Sequence, residues 1–457
     1  MATLILLSAI AALTSWRQME VARAARAASQ HAADSAFKAQ PGRHPHRMVH
    51  YGSYAIRPVG PLAAFDPGVD AFTGTVLYLE GHRQNSATFG AARESSGLVR
   101  FGQLTPAFVL QTLAPLLLVF LGFAGVARER EGGGLVTLRA HGATAMQIIA
   151  GKALALAVVA LAAAAPALAG LALAAGTAPA EAGIAALIGL ASLAYLLGWA
   201  LVVTAVSALA RTAQGALIAL IALWAVTVIL LPRGAAALAG LVHPLPGRAE
   251  TELAINADLR RLGDSHNPDD PFFAAFRARL LRQYGVTRIE DLPFNYRGAL
   301  SAEGERLTAS LFARYAARSA GIQRAQLALV DVLSWASPAI AVRRLSMLGA
   351  ATDLNTHLAF LDQAEAHRYH MVQRLNAMHT TRVSAADDAR RSSDAEAERR
   401  SRIAAASWRE IPDFAFAAPD PAARRAAMAA PFARLLAWLG AALALLLIAA
   451  RRMEVRA

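Results

Sequence analysis

The sequence predicts an all-α polytopic membrane protein with six transmembrane helices and a large, mostly helical extracytoplasmic domain. Three observations carry this expectation. Of 457 residues, 56% are hydrophobic and 17% are charged, against roughly 45–50% and roughly 25% in soluble domains. The apolar residues gather in blocks that match the about 20 residues needed to cross roughly 30 Å of hydrocarbon. The polar stretches between blocks carry helical periodicity of their own.

Residues 1–14 form the first block. No Lys or Arg precedes its apolar run, as the basic region of a cleaved signal peptide would require. It is read as a first transmembrane helix whose start lies upstream or whose end runs through Trp16. Residues 15–104 form an extracytoplasmic region, helical through Phe37 and then Gly/Pro-rich, with short extended pieces around 51–79. Transmembrane helix 2 follows at 105–126, then a cytoplasmic loop at 127–152. Helices 3–5 occupy 153–231, in blocks at 153–175, 184–209 and 212–231.

Residues 232–430 make the large extracytoplasmic domain. Apolar residues at three- and four-residue spacing predict helices at 249–262, 272–284, 302–345 with breaks, and 355–379. Leu358, Leu361 and Ala364, followed by His367 or Arg368, make one such stripe. The charged, Ala/Ser-rich stretch 384–402 is an exposed helix or a linker. Pro412, Pro419 and Pro421 break the chain before transmembrane helix 6 at 431–450. Residues 451–457 form a cytoplasmic tail.

Charge sets the expected orientation. Arg128, Arg130, Arg139, Lys152, Arg211, Arg451, Arg452 and Arg456 all fall in short loops or the tail, and the positive-inside rule assigns these to the cytoplasm. Arg17, Arg23 and Arg26 run against this, in a long region that the rule binds less. The expected location is a bacterial cytoplasmic (inner) membrane, multi-pass, with both long polar regions outside. The net charge of +13 divides as +4 over 15–104, +3 over 243–430, +5 over the cytoplasmic pieces and +1 elsewhere. No face collects the charge that phosphate contacts require, so nucleic acid is not an expected partner. With no cysteine, the outer domain folds without disulfides.

Enzyme motifs are missing. Around Gly151-Lys152, Met146 stands where a phosphate loop needs its first glycine, and Ala153 replaces the magnesium-binding Ser or Thr. There is no nucleophile elbow and no His-Glu-x-x-His zinc motif. The spans carry no Asp, Glu or His in their interiors, which disfavours an ion-coupled carrier. Gln111, Thr204 and Gln214 are scattered polar points that define no ligand. No metal is assigned. His44, His46 and His50 make a His-x-His-x-x-x-His cluster whose imidazoles suit zinc or copper, but a Pro-rich loop with solvated histidines is the preferred reading. His367 and His370, at i, i+3, share a ligand or lie on a polar helix face.

The loop at 127–152 is the informative segment. It combines a charged helix end, a glycine break and a short amphipathic helix with Leu135, Leu138, Ile148 and Ile149 on apolar positions. Such a helix lies at a membrane surface or docks as a knob into a partner's groove. The run Glu129-Arg130-Glu131-Gly132-Gly133-Gly134-Leu135, with Leu138 and the Gly151-Lys152 pair, resembles the cytoplasmic loop of ABC-2-type permeases, the membrane subunits of ATP-binding-cassette transporters. Their pattern is Glu-x-x-x-Gly-Thr-Leu, a coupling helix, then Gly-Lys; here Gly134 stands in place of the Thr.

Other stretches resemble a subgroup with a large extracytoplasmic domain of unknown function between the fifth and sixth spans. They are His50-Tyr51-Gly52 with Arg57-Pro58, Pro61 through Gly68, Arg100 through Phe108, Tyr296-Arg297-Gly298, Ser337-Pro338 through Ser346-Met347, and Ile411-Pro412-Asp413-Phe414. The resemblance implies a permease subunit, an exporter and not itself an enzyme, driven by a separate ABC ATPase. That ATPase would bind ATP and Mg, leaving no cofactor in this chain. A second permease copy or a homologous permease and membrane lipid would be the other partners. By the same resemblance, Glu129, Arg130, Glu131, Gly132, Gly133, Gly134, Leu135, Leu138 and Lys152 would couple to the ATPase. The polar contacts would come from Glu129 and Glu131, the bend from the glycines and a helix-start anchor near lipid phosphates from Lys152. The alternative from a different class is a membrane-anchored binding or assembly scaffold with an extracytoplasmic recruitment domain.

Overall fold

The computed structural model describes residues 2–455 apart from 71, 88–103, 264–266 and 268. The protein is an all-α polytopic membrane protein, 77% helical with almost no strand. A helix α1 (Ala2–Lys38) leads to a short helix α2 (Pro45–Tyr51) and an antiparallel hairpin, β1 (Ser53–Ile56) with β2 (Val76–Leu79), in which Tyr54 faces Tyr78. Next come α3 (Pro106–Glu131), the short α4 (Gly134–Ala140), α5 (Ala145–Thr177), α6 (Pro179–Leu209) and α7 (Ala213–Val242). The polar domain follows with α8 (Arg248–Leu262), α9 (Pro271–Tyr284), α10 (Tyr296–Leu333), α11 (Pro338–Ala350) and α12 (Leu354–Arg382). Two short helices, α13 (Ala385–Arg390) and α14 (Ala395–Arg400), precede the last helix, α15 (Pro421–Val455).

Among the described residues, α3, α5, α6, α7 and α15 are long and apolar enough to cross a membrane. The segment expected as a first span is the N-terminal half of α1, which is not among these five. Its apolar stretch gives way to Arg17 and Gln18 before the helix is half complete. That half nevertheless packs on α5, and Leu4 and Ala11 are buried in the same cluster as the spans. Caps fix the other starts: the Thr105 side chain accepts from Phe108 N at 3.1 Å, and Thr144 and Gln147 form a capping box.

Burial sorts the spans. Half of the most apolar window is buried in α3 and α6, against 33% in α5 and 22% in α7 and α15. So α6 is the centre, touching α3, α5, α7, α11 and α15. The outer helices turn Leu154, Val158, Leu161 and Ile218 outward, which suits an apolar surrounding such as lipid hydrocarbon.

Two spans contain π-helical turns, at Val109–Leu113 and Ala225–Leu230. Such turns disturb the regular ladder, and in a bilayer every released carbonyl needs a donor. Side chains supply them. Tyr195 Oη donates to Gln111 O at 2.9 Å, Trp224 Nε1 to Thr112 O at 3.2 Å, and Ser337 Oγ to Thr227 O at 2.5 Å. Trp224 therefore has a role that its apolar setting in the sequence does not reveal.

The polar domain grips the bundle through α11. This helix is buried along nearly its whole length, and a Cβ on Gly349 would lie 2.7 Å from Ile188 Cδ1 of α6. Arg424 of α15 donates to Gly349 O at 2.7 Å and pairs with buried Glu181. Ser346 Oγ donates to Asp66 and accepts from Gln111 Nε2 at 3.0 Å. Burial pushes the Asp66 carboxyl up, and the Ser346 hydrogen bond only partly offsets this. A second core lies beyond, in which Phe37, Met48 and Leu77 meet Phe360, Met371 and Trp408. The two long polar segments thus fold together. Stretch 384–402 forms α13 and α14, anchored by Asp388, which is 1% exposed.

Candidate functional site

The loop between α3 and α5 is short, capped at both ends and tied to three spans. The end of α3 that leads into it, Ala127–Glu131, is held by Ser207 Oγ of α6, which accepts from Val126 N and Ala127 N at 3.0 and 3.2 Å. Arg130 donates to the carbonyls of Ala208 and Ala210 at the end of α6. These are last-turn carbonyls that have no partner within the helix, and a guanidinium fork suits them.

Gly132 closes the turn, and Gly133 takes φ +75°, the left-handed region that lets the chain reverse and start α4 at Gly134. Arg139 of α4 donates to Met453 O near the end of α15 at 2.8 Å. Lys152, two turns into α5, reaches back so that its Nζ lies 2.5 Å from Glu129 Oε1. Loop, α6–α7 turn and the end of α15 therefore share one end of the bundle. Arg456 of the tail lies outside the described residues.

The structure separates the candidate coupling residues into two groups. Glu129, Arg130 and Lys152 face inward and spend their charges on the fold. Leu135 packs on the cluster formed by Val126, Ile149 and Ala450. Glu131, Val136 and Leu138 face outward, with Val136 73% exposed. The outward side of the loop is a small apolar knob with the Glu131 carboxylate and the exposed Arg128 guanidinium nearby.

The histidines also separate. His44 leaves the cluster, with Nδ1 accepting from His46 N at 3.1 Å and Nε2 lying 3.2 Å from Asp388 Oδ1. His379 Nε2 is 2.8 Å from the other Asp388 oxygen, and Asn295 donates to it at 3.0 Å. Burial opposes the Asp388 charge, but the hydrogen bonds from His379, His44 and Asn295 overcome it and hold the carboxyl well below the usual range. His46 and His50 instead meet His82, to which no spacing in the sequence points. Burial, with His50 and His82 nearby, lowers the His46 ring to about 3. His367 lies edge-on to Phe414, with ring centroids 5.5 Å apart, while His370 is exposed.

Of the polar points in the spans, Gln111 is held by Ser346, Thr204 bonds back to Ala200 O at 2.8 Å, and Gln214 is exposed. An apolar cleft between α6, α7 and α15 is lined by Tyr195, Trp199, Thr227, Leu435 and Trp438. It gathers too few polar groups to select a ligand.

Residues 248–417 match the family described as a domain of unknown function, DUF3526. This segment holds α8 to α14 but none of the bundle spans and none of His46, His50 and His82. No curated protein and no solved structure matches the chain. The stretches 61–68 and 337–347, far apart in sequence, meet through Asp66 and Ser346. Stretch 100–108 is described only from Leu104 onward.

Proposed function

We propose that this chain is the membrane-spanning permease subunit of an ABC-2-type transporter, an exporter driven by a separate ATPase subunit. The observation that carries the reading is the construction of the 127–144 loop. Arg130, Arg139 and Lys152 lock it to α6, α15 and α5, while Val136, Leu138 and Glu131 stand outward. A push on a loop fastened in this way moves three spans together, which is what coupling to ATP-driven closure requires.

On this reading the loop end faces the cytoplasm of a bacterial inner membrane and the polar domain lies outside. Two permease chains would pair around the export path, with ATP and Mg held by the two ATPase subunits beneath. Glu131 contacts the ATPase, whereas Glu129 and Lys152 act as an internal strut.

The reading predicts a Walker-type ATPase encoded by the adjacent reading frame, and co-expression with it tests this. Glu131→Arg should leave insertion and folding intact while lowering the detergent-solubilised chain's affinity for that ATPase by at least about tenfold, the scale of one hot-spot contact. An ATPase that binds wild type and Glu131→Arg equally removes Glu131 from the interface. A neighbouring ATPase that binds neither favours the membrane-anchored scaffold.

A further inference from the structure

We infer that His46, His50 and His82 form a binding site for a divalent first-row transition metal, with zinc the closest geometric match. The site is independent of the transport reading and lies in the polar domain, at the opposite end of the bundle from the 127–144 loop.

The three rings converge, and one pair already has the spacing that a bound ion sets. One ring nitrogen from each histidine lies within 4.8 Å of the other two, and His46 Nε2 is 3.2 Å from His50 Nε2. Zinc–nitrogen bonds of about 2.0–2.1 Å in a tetrahedral site set nitrogens about 3.3 Å apart.

Each ligand is placed by the backbone. His46 and His50 are one turn apart on α2 and share a face. The start of α2 is fixed by Pro45 and by the His44 cap on His46 N. His82 takes φ +62°, uncommon for a residue with a Cβ. It is held there by two contacts: Gly81 N donates to Val49 O at 3.0 Å, and His82 N donates to Glu305 Oε2 at 3.1 Å. A Cβ on Gly81 would lie 2.1 Å from Val49 Cγ1, so the turn carrying His82 lies directly on α2.

The surroundings favour a cation. Glu305 is fully buried; its Oε2 accepts from His82 N and lies 3.8 Å from His82 Nδ1, too far for a hydrogen bond to the ring but close enough to favour positive charge there. Arg368 pairs with Glu305 at 2.7 Å and with Glu365 at 2.8 Å, so two carboxylates share one guanidinium behind the site. The neighbouring His44, His379 and Asp388 cluster contrasts with this. There the carboxylate is filled by both histidines and Asn295, which makes a structural network. Because His50 is exposed and three protein ligands leave a tetrahedral position for water, the site suits exchange with solvent.

The test uses full-length chain purified in detergent without a polyhistidine tag, stripped with chelator and titrated with zinc chloride. One zinc ion per chain is expected, and cobalt(II) should give the intense visible bands of a tetrahedral site. His50→Ala should weaken zinc binding by more than the roughly 10–100-fold cost of an outer-shell change and abolish the cobalt bands, with unchanged far-ultraviolet circular dichroism. His370→Ala, at an exposed histidine outside the cluster, should bind as wild type does. If His82→Ala fails to fold, exposed His50→Ala carries the test alone. Wild type without stoichiometric zinc, or His50→Ala binding as tightly as wild type, overturns the site.

Discussion

Lys152 and Glu129 stand 23 positions apart in sequence, yet their side chains meet at 2.5 Å and close the 127–152 segment into a loop. Both are partly exposed, so the pair contributes no more than about 1 kcal/mol to stability. Its effect lies in geometry. Lys152→Met should therefore shift the melting temperature little while lowering ATPase affinity. The exchange Glu129→Lys with Lys152→Glu should recover most of that loss. A double-mutant cycle on ATPase binding measures the coupling, and strictly additive losses would mean that the pair does not shape the loop.

Gly133 and Gly134 are neighbours with different duties. Gly133 sits at φ +75° with nothing within 4 Å of an added Cβ, whereas Gly134 opens α4 in the helical region. Gly133→Ala should cost about 1–2 kcal/mol of local backbone energy and speed amide exchange over 134–140. Gly134→Ala should slow exchange there or leave it unchanged. Equal effects at both positions would contradict the assigned bend.

His357 gives the polar domain a pH dependence. Burial, with a further contribution from Arg57, lowers it from 6.5 to about 4. The unfolded chain therefore takes up a proton between pH 6.5 and 4 that the folded chain refuses. Stability is fully present above about pH 6.5 and falls as pH drops toward 4, by about 3 kcal/mol at most. Thermal melts of wild type and His357→Gln over this range check it, because the variant should lose that part of the slope.

Much of the fold was legible in the sequence, because a membrane helix must be apolar along a continuous run and its own backbone satisfies its hydrogen bonds. The helices of the polar domain were legible from their spacing, and so was the break now seen at Ser334–Ser337. The segment expected as a first span was less so, since its apolar run is short and the packing on α5 that buries Leu4 and Ala11 leaves no local pattern. Long-range pairings were not legible at all. Nothing near His44 announces Asp388, 344 positions away, and nothing near His82 announces its turn onto α2. The loop was legible as a segment, but which of its charges turn inward depends on carbonyls at the ends of α6 and α15.

On the proposed function, Val136 and its neighbours dock into an ATPase. The chain has no cysteine, so a single introduced thiol reports one place only. Val136→Cys, and separately His370→Cys in the polar domain, should be co-expressed with the neighbouring ATPase carrying one cysteine in its permease-facing groove, then cross-linked with and without ATP. Cross-linking at 136 that changes with ATP is expected, and none at 370. Cross-linking at 370 alone, or at neither site while the two proteins still co-purify, would contradict it.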